Sequence, residues 1–261
     1  HRDCEERIKR HIKGGKGMSR MASFSGRTFK EILRDPLTLG FGLGFPLVLL
    51  LLLSLIQSNI PVSMFELNTL TPGITVFGLS FITLFAGQLV SKDRDTSFLQ
   101  RLYTTPMKPL DFVLGYMLPF FAIAIAQALL CYVAAWILGL EITINVLWSV
   151  LLILVPALFY ASLGLLCGST LTETQVGGLC GALLTNLSAW LSGIWFNISM
   201  LGSVFEKIAS LLPFIHAVEF ERAVVAGNFS AALPHMLWVL GYGIAITALA
   251  VFAFLRQMKK Q

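Results

Sequence analysis

Charge is scarce in this chain. Only 13% of its 261 residues are charged, against about a quarter in ordinary soluble domains. Fourteen Asp and Glu are present, and none falls at mid-depth in a long apolar run. That argues against a proton- or sodium-coupled carrier, which keeps a carboxylate near the bilayer centre. Cysteine is also sparse, and its spacing has no CxxC, so neither a disulfide framework nor a zinc site is supported. Cys131, Cys167 and Cys180 lie in apolar runs and are expected to be small buried hydrophobes. No HExxH, no GxSxG and no paired aspartates occur in a span, so catalysis has no visible seat, and no metal site is expected. GGKG at 14–17 lacks the GxxxxGK[ST] spacing of a phosphate loop, and there is no LSGGQ-type signature. If the chain moves anything uphill, the energy comes from a partner.

Hydrophobic residues are abundant, at 56%, with a mean hydropathy of +0.78. A soluble core cannot use that much apolar surface, so the solvent for most of the chain is lipid. Runs of about 20 apolar residues mark spans. Six are expected, at about 37–56, 72–90, 111–138, 146–167, 175–196 and 233–255, with Pro119 and Pro156 as kinks. No cleavable signal is expected, because the first run is too long.

The basic residues give an orientation. Of 19 Lys and Arg, ten lie in 1–34, four in 91–109 and three in 256–261. Only Lys207 and Arg222 lie elsewhere. With the N-terminus inside, seventeen of the nineteen are cytoplasmic, as the positive-inside rule requires. The expected location is a prokaryotic plasma membrane, with both termini in the cytoplasm. A nucleic-acid surface is not supported, because the basic residues cluster at span ends without interleaved aromatics.

Three segments stand apart from the spans. Residues 1–22 form a basic tail, with Met18 or Met21 as an expected natural start. Residues 23–36 place Phe24, Phe29, Ile32 and Leu33 at helical spacing, with Arg27, Lys30, Glu31 and Arg34 on the other side. That reads either as an amphipathic helix on the membrane surface or as an ordinary lead-in to the first span. Residues 197–232 are too polar to span freely and too apolar for a loop. They read as a pair of short helices dipping into the outer leaflet, which protein or a water-filled cavity must cover. His216 and His235 flank this segment and are expected to be structural. Among the polar residues within spans are Gln88, Gln127, Asn186, Tyr132 and Tyr160. Each either lines a cavity or makes an interhelical hydrogen bond.

The stretch SKDRDTSFLQRLYTTPMKP, at 91–109, sits between two spans. Its pattern gives a short charged helix, broken at Thr105 by Pro106. It reads as a peg for another protein or as a solvated loop.

This stretch resembles the ABC-2 family of ABC transporter permeases. The matching residues are Asp93-Arg94-Asp95, Leu102, Thr105-Pro106 and Gly115. The family commonly has Gly-Thr after the charged cluster, where this chain has Asp95-Thr96. RTFKEILRDPLTLGFGLGFPLVLLLLL at 27–53 looks like the family's interfacial helix entering span one. LPFIHAVEFERAVVAG at 212–227 looks like its outer re-entrant segment. The resemblance implies an all-α integral membrane fold of six transmembrane helices, with an interfacial helix, a cytoplasmic coupling helix and extracellular re-entrant helices. It implies half of a permease dimer, homo- or heteromeric, docked on separate ABC ATPase subunits that hold ATP and Mg. This chain itself would bind no cofactor and hydrolyse nothing.

Carried over residue by residue, the ATPase-coupling set is Asp93, Arg94, Asp95, Arg101, Leu102, Thr105 and Pro106. Asp93, Arg94 and Arg101 are expected to touch the socket. Arg27, Glu31, Arg34 and Asp35 would transmit tilt through the interfacial helix. Pro213, His216, Glu219 and Arg222 would cap the exit. Gln88, Phe120, Phe121, Gln127, Tyr132 and Asn186 are candidates for a cargo path, with Trp190 also in reach. Trp195 is expected to pack or anchor at the interface. The pattern is nearest the drug-exporter branch, so the expected cargo is hydrophobic or amphipathic (a drug, lipid or peptide). A lipid-linked glycan or sodium is the alternative, and an ion-coupled carrier or a scaffold stands further off.

Overall fold

The computed structural model describes residues 20–61, 63, 65–105 and 107–259, and every regular element among them is helical. The basic tail through residue 19 and Pro106 of the coupling set lie outside the described residues.

Helix α1 runs over 20–34. Asp35 ends it and starts the next helix. Its carboxylate accepts from the Leu37 amide at 3.1 Å and from Thr38 Oγ1 at 2.6 Å, and Pro36 takes the first helical position, where its missing N–H costs nothing. Helix α2, Pro36–Gln57, follows with a π turn at Gly40–Gly44. Helix α3 is Leu67–Asp95, α4 is Phe98–Tyr103, α5 is Pro109–Ile137 and α6 spans Ile144–Thr170. Helix α7 is composite: Glu173–Val176, a long π segment at Gly177–Leu184, then Thr185–Leu191. A 3-10 turn, Ile198–Leu201, leads to α8, Ser203–Leu211, and α9, Pro213–Val225. Helix α10, Phe229–Met258, closes the chain.

Among the described residues, five helices are long and apolar enough to cross a membrane: α2, α3, α5, α6 and α10. The expected span at 175–196 is not one of them. Its glycine-rich start, GGLCG, opens into π geometry, and its end is cut at Leu191, before a turn in which Gly193 has φ +70. The segment expected to re-enter is α8 and α9, of nine and thirteen residues, each too short to span.

Helix α3 is the hub. The apolar stretch of α3 is 83% buried inside the protein, against 22% for α2 and for α10. Its tightest neighbour is α6. Gly164 and Gly168, one turn apart on α6, rest on the backbone of α3: a Cβ at Gly164 would lie 2.5 Å from the Thr83 carbonyl oxygen, and one at Gly168 2.4 Å from that of Gly87. Thr83 Oγ1 donates to the Tyr160 carbonyl at 2.7 Å across the same contact. Small residues let helix backbones approach in this way where lipid removes the hydrophobic drive between helices.

Side-chain contacts tie α1, the α3–α4 turn and the end of α10 together at one end of the bundle, the basic end. Helices α8 and α9 sit at the other, the far end.

Candidate functional site

The basic end is built around a buried carboxylate. Asp93, in the last turn of α3, is 2% exposed. It accepts from both terminal nitrogens of Arg27, at 2.7 and 3.0 Å, and from the Tyr116 hydroxyl at 2.7 Å. Arg27 also pairs with Glu31 at 2.8 Å, and Lys92 approaches Glu31 at 3.5 Å. The guanidinium carbon of Arg27 lies 3.9 Å from the Phe98 ring centroid. One arginine of α1 therefore touches α3 and α4, and Tyr116 brings in α5. Bidentate geometry fixes orientation as well as charge.

Arg94 does a different job. It donates to the carbonyls of Ser169 and Leu171, at 2.8 and 2.7 Å. These lie at the C-terminal end of α6, where carbonyls lack helical partners and a cation is favoured. Gln257 of α10 donates to the same Ser169 carbonyl and accepts from the Tyr103 hydroxyl of α4. So α4 is held through side chains by α10 at Tyr103, by α5 where Tyr103 meets Phe112, and by α1 where Phe98 meets Phe24 and Arg27.

Asp93 and Arg94 differ in what they leave exposed: the Asp93 side chain is 3% exposed and that of Arg94 24%. Both are engaged inside the subunit, and Asp93 is too buried to meet a socket. Arg101 and Asp95 are exposed, as are Gln100 and Thr104. Leu102 and Thr105 are half-buried, with Thr105 Oγ1 bonded to the Leu102 carbonyl at 2.5 Å. Leu99, not Leu102, is the fully buried leucine of α4. The turn into α4 places Ser97 at φ 58, the one non-glycine in left-handed geometry among the described residues. Such a conformation costs about 1–2 kcal/mol without glycine.

The two-sided picture of α1 is also corrected. Phe24, Thr28 and Ile32 are buried, at 6, 0 and 4% exposure, while Phe29 and Leu33 face outward. Arg27 and Glu31 turn inward toward Asp93 and Lys92, and Arg34 is exposed. Phe24 sits edge-on to Phe112 and Tyr116 of α5 and directly over Gly115, where a Cβ would come within 2.4 Å of its ring. Gly115→Ala is expected to push Phe24 out of this seat, at about 1–3 kcal/mol for overpacking. Thermal unfolding of the purified variant measures it.

Between α1 and α3 lies a cavity of about 1110 Å³. Lys30, Arg34 and Lys92 line it together with the apolar Ile32, Phe85 and Phe120. Gln88 lines it too. The other path candidates lie elsewhere. Gln127 and Tyr132 are buried within the bundle, Gln127 donating to the Thr75 carbonyl at 2.9 Å. Asn186 is exposed and bonds back to the Ala182 carbonyl. Phe121 packs half-buried against the core. Within this subunit the six do not share one path. Trp195 meets the ring of Phe77 edge-on at 5.8 Å, while Trp190 is 55% exposed.

At the far end, α9 is clamped by Arg222. It donates to Glu219 at 2.9 Å, to the Thr69 carbonyl at 3.1 Å and to the Gly193 carbonyl at 3.2 Å. His216 of α9 meets His235 of α10, Nδ1 to Nδ1, at 2.7 Å, and its Nε2 bonds the Ser210 carbonyl. Pro213 is the buried first residue of α9. All four expected cap residues therefore seat one helix.

A bundle of apolar helices, with a braced charged helix at its basic end and two short helices at the other, agrees with the comparison to known families. Residues 21–225 match the family model described as ABC-2 type transporter. The chain belongs to the ABC-2 type transporter family. It is also 27% identical over 229 residues to "Putative transport permease ycf38" of Porphyra purpurea, an alignment covering 81% of this chain and 77% of that protein. This ABC-2 protein is thus a multi-pass transmembrane transport subunit of an ABC transporter, and membership implies an ABC ATPase subunit as its partner. Within the matched region, α4 exposes Gln100 and Arg101 and is held by side chains of α1, α5 and α10.

Proposed function

We propose that this subunit exports a hydrophobic or amphipathic compound and is driven by ATPase subunits that dock on α4. The basic end faces the cytoplasm in this reading, which places α4 within reach of a soluble partner and follows the concentration of Lys and Arg there. A second permease subunit completes the complex, and an amphipathic cargo suits the cavity between α1 and α3, whose lining joins charges of both signs (Lys30, Arg34 and Lys92 with Glu31, Asp35 and Glu173) to aromatic and aliphatic side chains. The observation that carries the reading is the bracing of α4. Its exposed Arg101 is carried on a helix fixed by Phe98, packed against Phe24 and Arg27, and by Tyr103, packed against Phe112 and bonded to Gln257. A helix held that firmly passes a push to α1, α5 and α10 rather than absorbing it.

The experiment separates docking from folding. Arg101→Glu is expected to abolish recovery of ATPase activity with the solubilised permease while leaving its melting temperature unchanged. Arg94→Glu is expected to lower the melting temperature, because it removes the cap on α6 and sets a carboxylate against carbonyls. If Arg101→Glu retains its ATPase at wild-type levels, α4 is not the docking element.

A further inference from the structure

Glu219 and Glu221 are two residues apart on α9, so they point in nearly opposite directions. Glu219 pairs with Arg222. Glu221 turns into the protein and is fully buried. Its Oε2 lies 2.5 Å from Ser149 Oγ of α6, and Ser149 Oγ lies 2.7 Å from the Tyr132 hydroxyl of α5. Its Oε1 has no hydrogen-bond partner. Two other buried side-chain oxygens share that condition, Thr71 Oγ1 on α3 and Gln127 Oε1 on α5, and Gln127 is bonded to Thr75, one turn along from Thr71.

The surroundings offer no counter-charge. Arg222, next in sequence, is turned toward Glu219, Thr69 and Gly193. Helix α10 carries His235, which is engaged with His216. Glu206 and Lys207 of α8 are exposed, and the half of α3 that packs here has Thr71 and Thr75 but no charged side chain. Among the described residues, Tyr132 is the titratable group that faces Glu221. Among the described residues Glu221 joins no ion pair. A bare carboxylate there loses its hydration and gains only the Ser149 hydroxyl in exchange, with no counter-charge. A protonated carboxyl fits, because Glu221 then donates to Ser149 and the hydroxyl chain runs on to Tyr132.

We propose that Glu221 is a proton-binding site, and that the bound proton holds α9 seated against α5 and α6. Release of the proton accompanies unseating of α9, when the carboxyl meets water. Burial pushes the carboxyl up from its ordinary 4.5 to about 8. The sign follows by linkage. The folded state binds the proton more tightly than the unfolded state, so stability is full below about pH 4.5, falls as pH rises toward about 8, and is flat above. The proton site stands on contacts within the subunit. Only its meaning for an outward gate rests on the export reading.

The test uses the purified full chain in nanodiscs. Infrared spectra of wild type minus Glu221→Gln at about pH 6 are expected to show a protonated carboxyl band that is gone well above pH 8. The wild-type melting temperature is expected to fall across the same window, and Glu221→Gln, a neutral isostere, to fold and to lose that slope. An ionised carboxylate in the difference spectrum at about pH 6, or a wild-type slope that Glu221→Gln retains, overturns the proposal. Neither readout depends on ATPase docking, so failure here leaves the Arg101 test untouched.

Discussion

Arg27→Ala is expected to destabilise the permease by about 3 kcal/mol and to leave α1 joined to α4 only through the Phe24–Phe98 stack. Removing one member of a buried pair strands the other, at about 3–5 kcal/mol. The lower figure applies because the Arg27 side chain is 37% exposed while that of Asp93 is 3% exposed. Among the described residues, the Tyr116 hydroxyl would remain as the other side-chain donor to the Asp93 carboxylate. Tyr116→Phe deletes one hydrogen bond to a charged group and is expected to cost less, about 1.5–3 kcal/mol. Thermal unfolding of the single variants and of Arg27→Ala with Asp93→Ala forms a cycle. Strong non-additivity is expected, because the double variant leaves no unpaired buried charge. Equal melting of Arg27→Ala and wild type would show that the pair supports nothing.

Replacing Gly164 and Gly168 together by alanine is expected to prevent assembly of the bundle. Each Cβ would meet backbone, which cannot swing aside as a side chain does. At Gly168 the contacts are 2.4 Å to the Gly87 oxygen and 2.9 Å to its Cα. The helices must part, and overpacking costs about 1–3 kcal/mol per site, a large share of the 5–15 kcal/mol available to a typical protein. Gly241→Ala is the control. Its Cβ meets nothing within 4 Å, and alanine is the better helix former by about 1 kcal/mol, so a rise in melting temperature is expected. The fraction that remains monodisperse on size exclusion after heating reports all three variants. A double variant that matches wild type would remove the close α3–α6 contact from the account.

The spans on α2, α3, α5, α6 and α10 are legible because lipid demands long apolar runs, and hydropathy registers them directly. Hydropathy is blind to what covers an apolar side. Phe24 and Phe29 look alike in sequence, yet one is buried under α5 and the other exposed, and Thr28 at 0% exposure gives no hydrophobic signal. The charged cluster of 93–95 is equally visible, but the partners of Asp93 and Arg94 lie 66 and 75 residues away, where no local pattern points. GLLCG at 164–168 is legible as a small-xxx-small spacing, a signal that an apolar average erases. Helical phase separates Glu221 from Glu219, yet only the packed structure shows which of them faces inward.

Two π segments interrupt α2 and α7, at Gly40–Gly44 and Gly177–Leu184. In π geometry each turn holds more residues than the 3.6 of an α-helix. Each segment is therefore a reserve of slack. Tightening it by one residue would corkscrew everything beyond it by about 100°, turning a new flank to the surroundings while the hydrogen-bonded column stays unbroken. Helices α2 and α7 need not tilt to change what they present to a passing molecule; they need only wind.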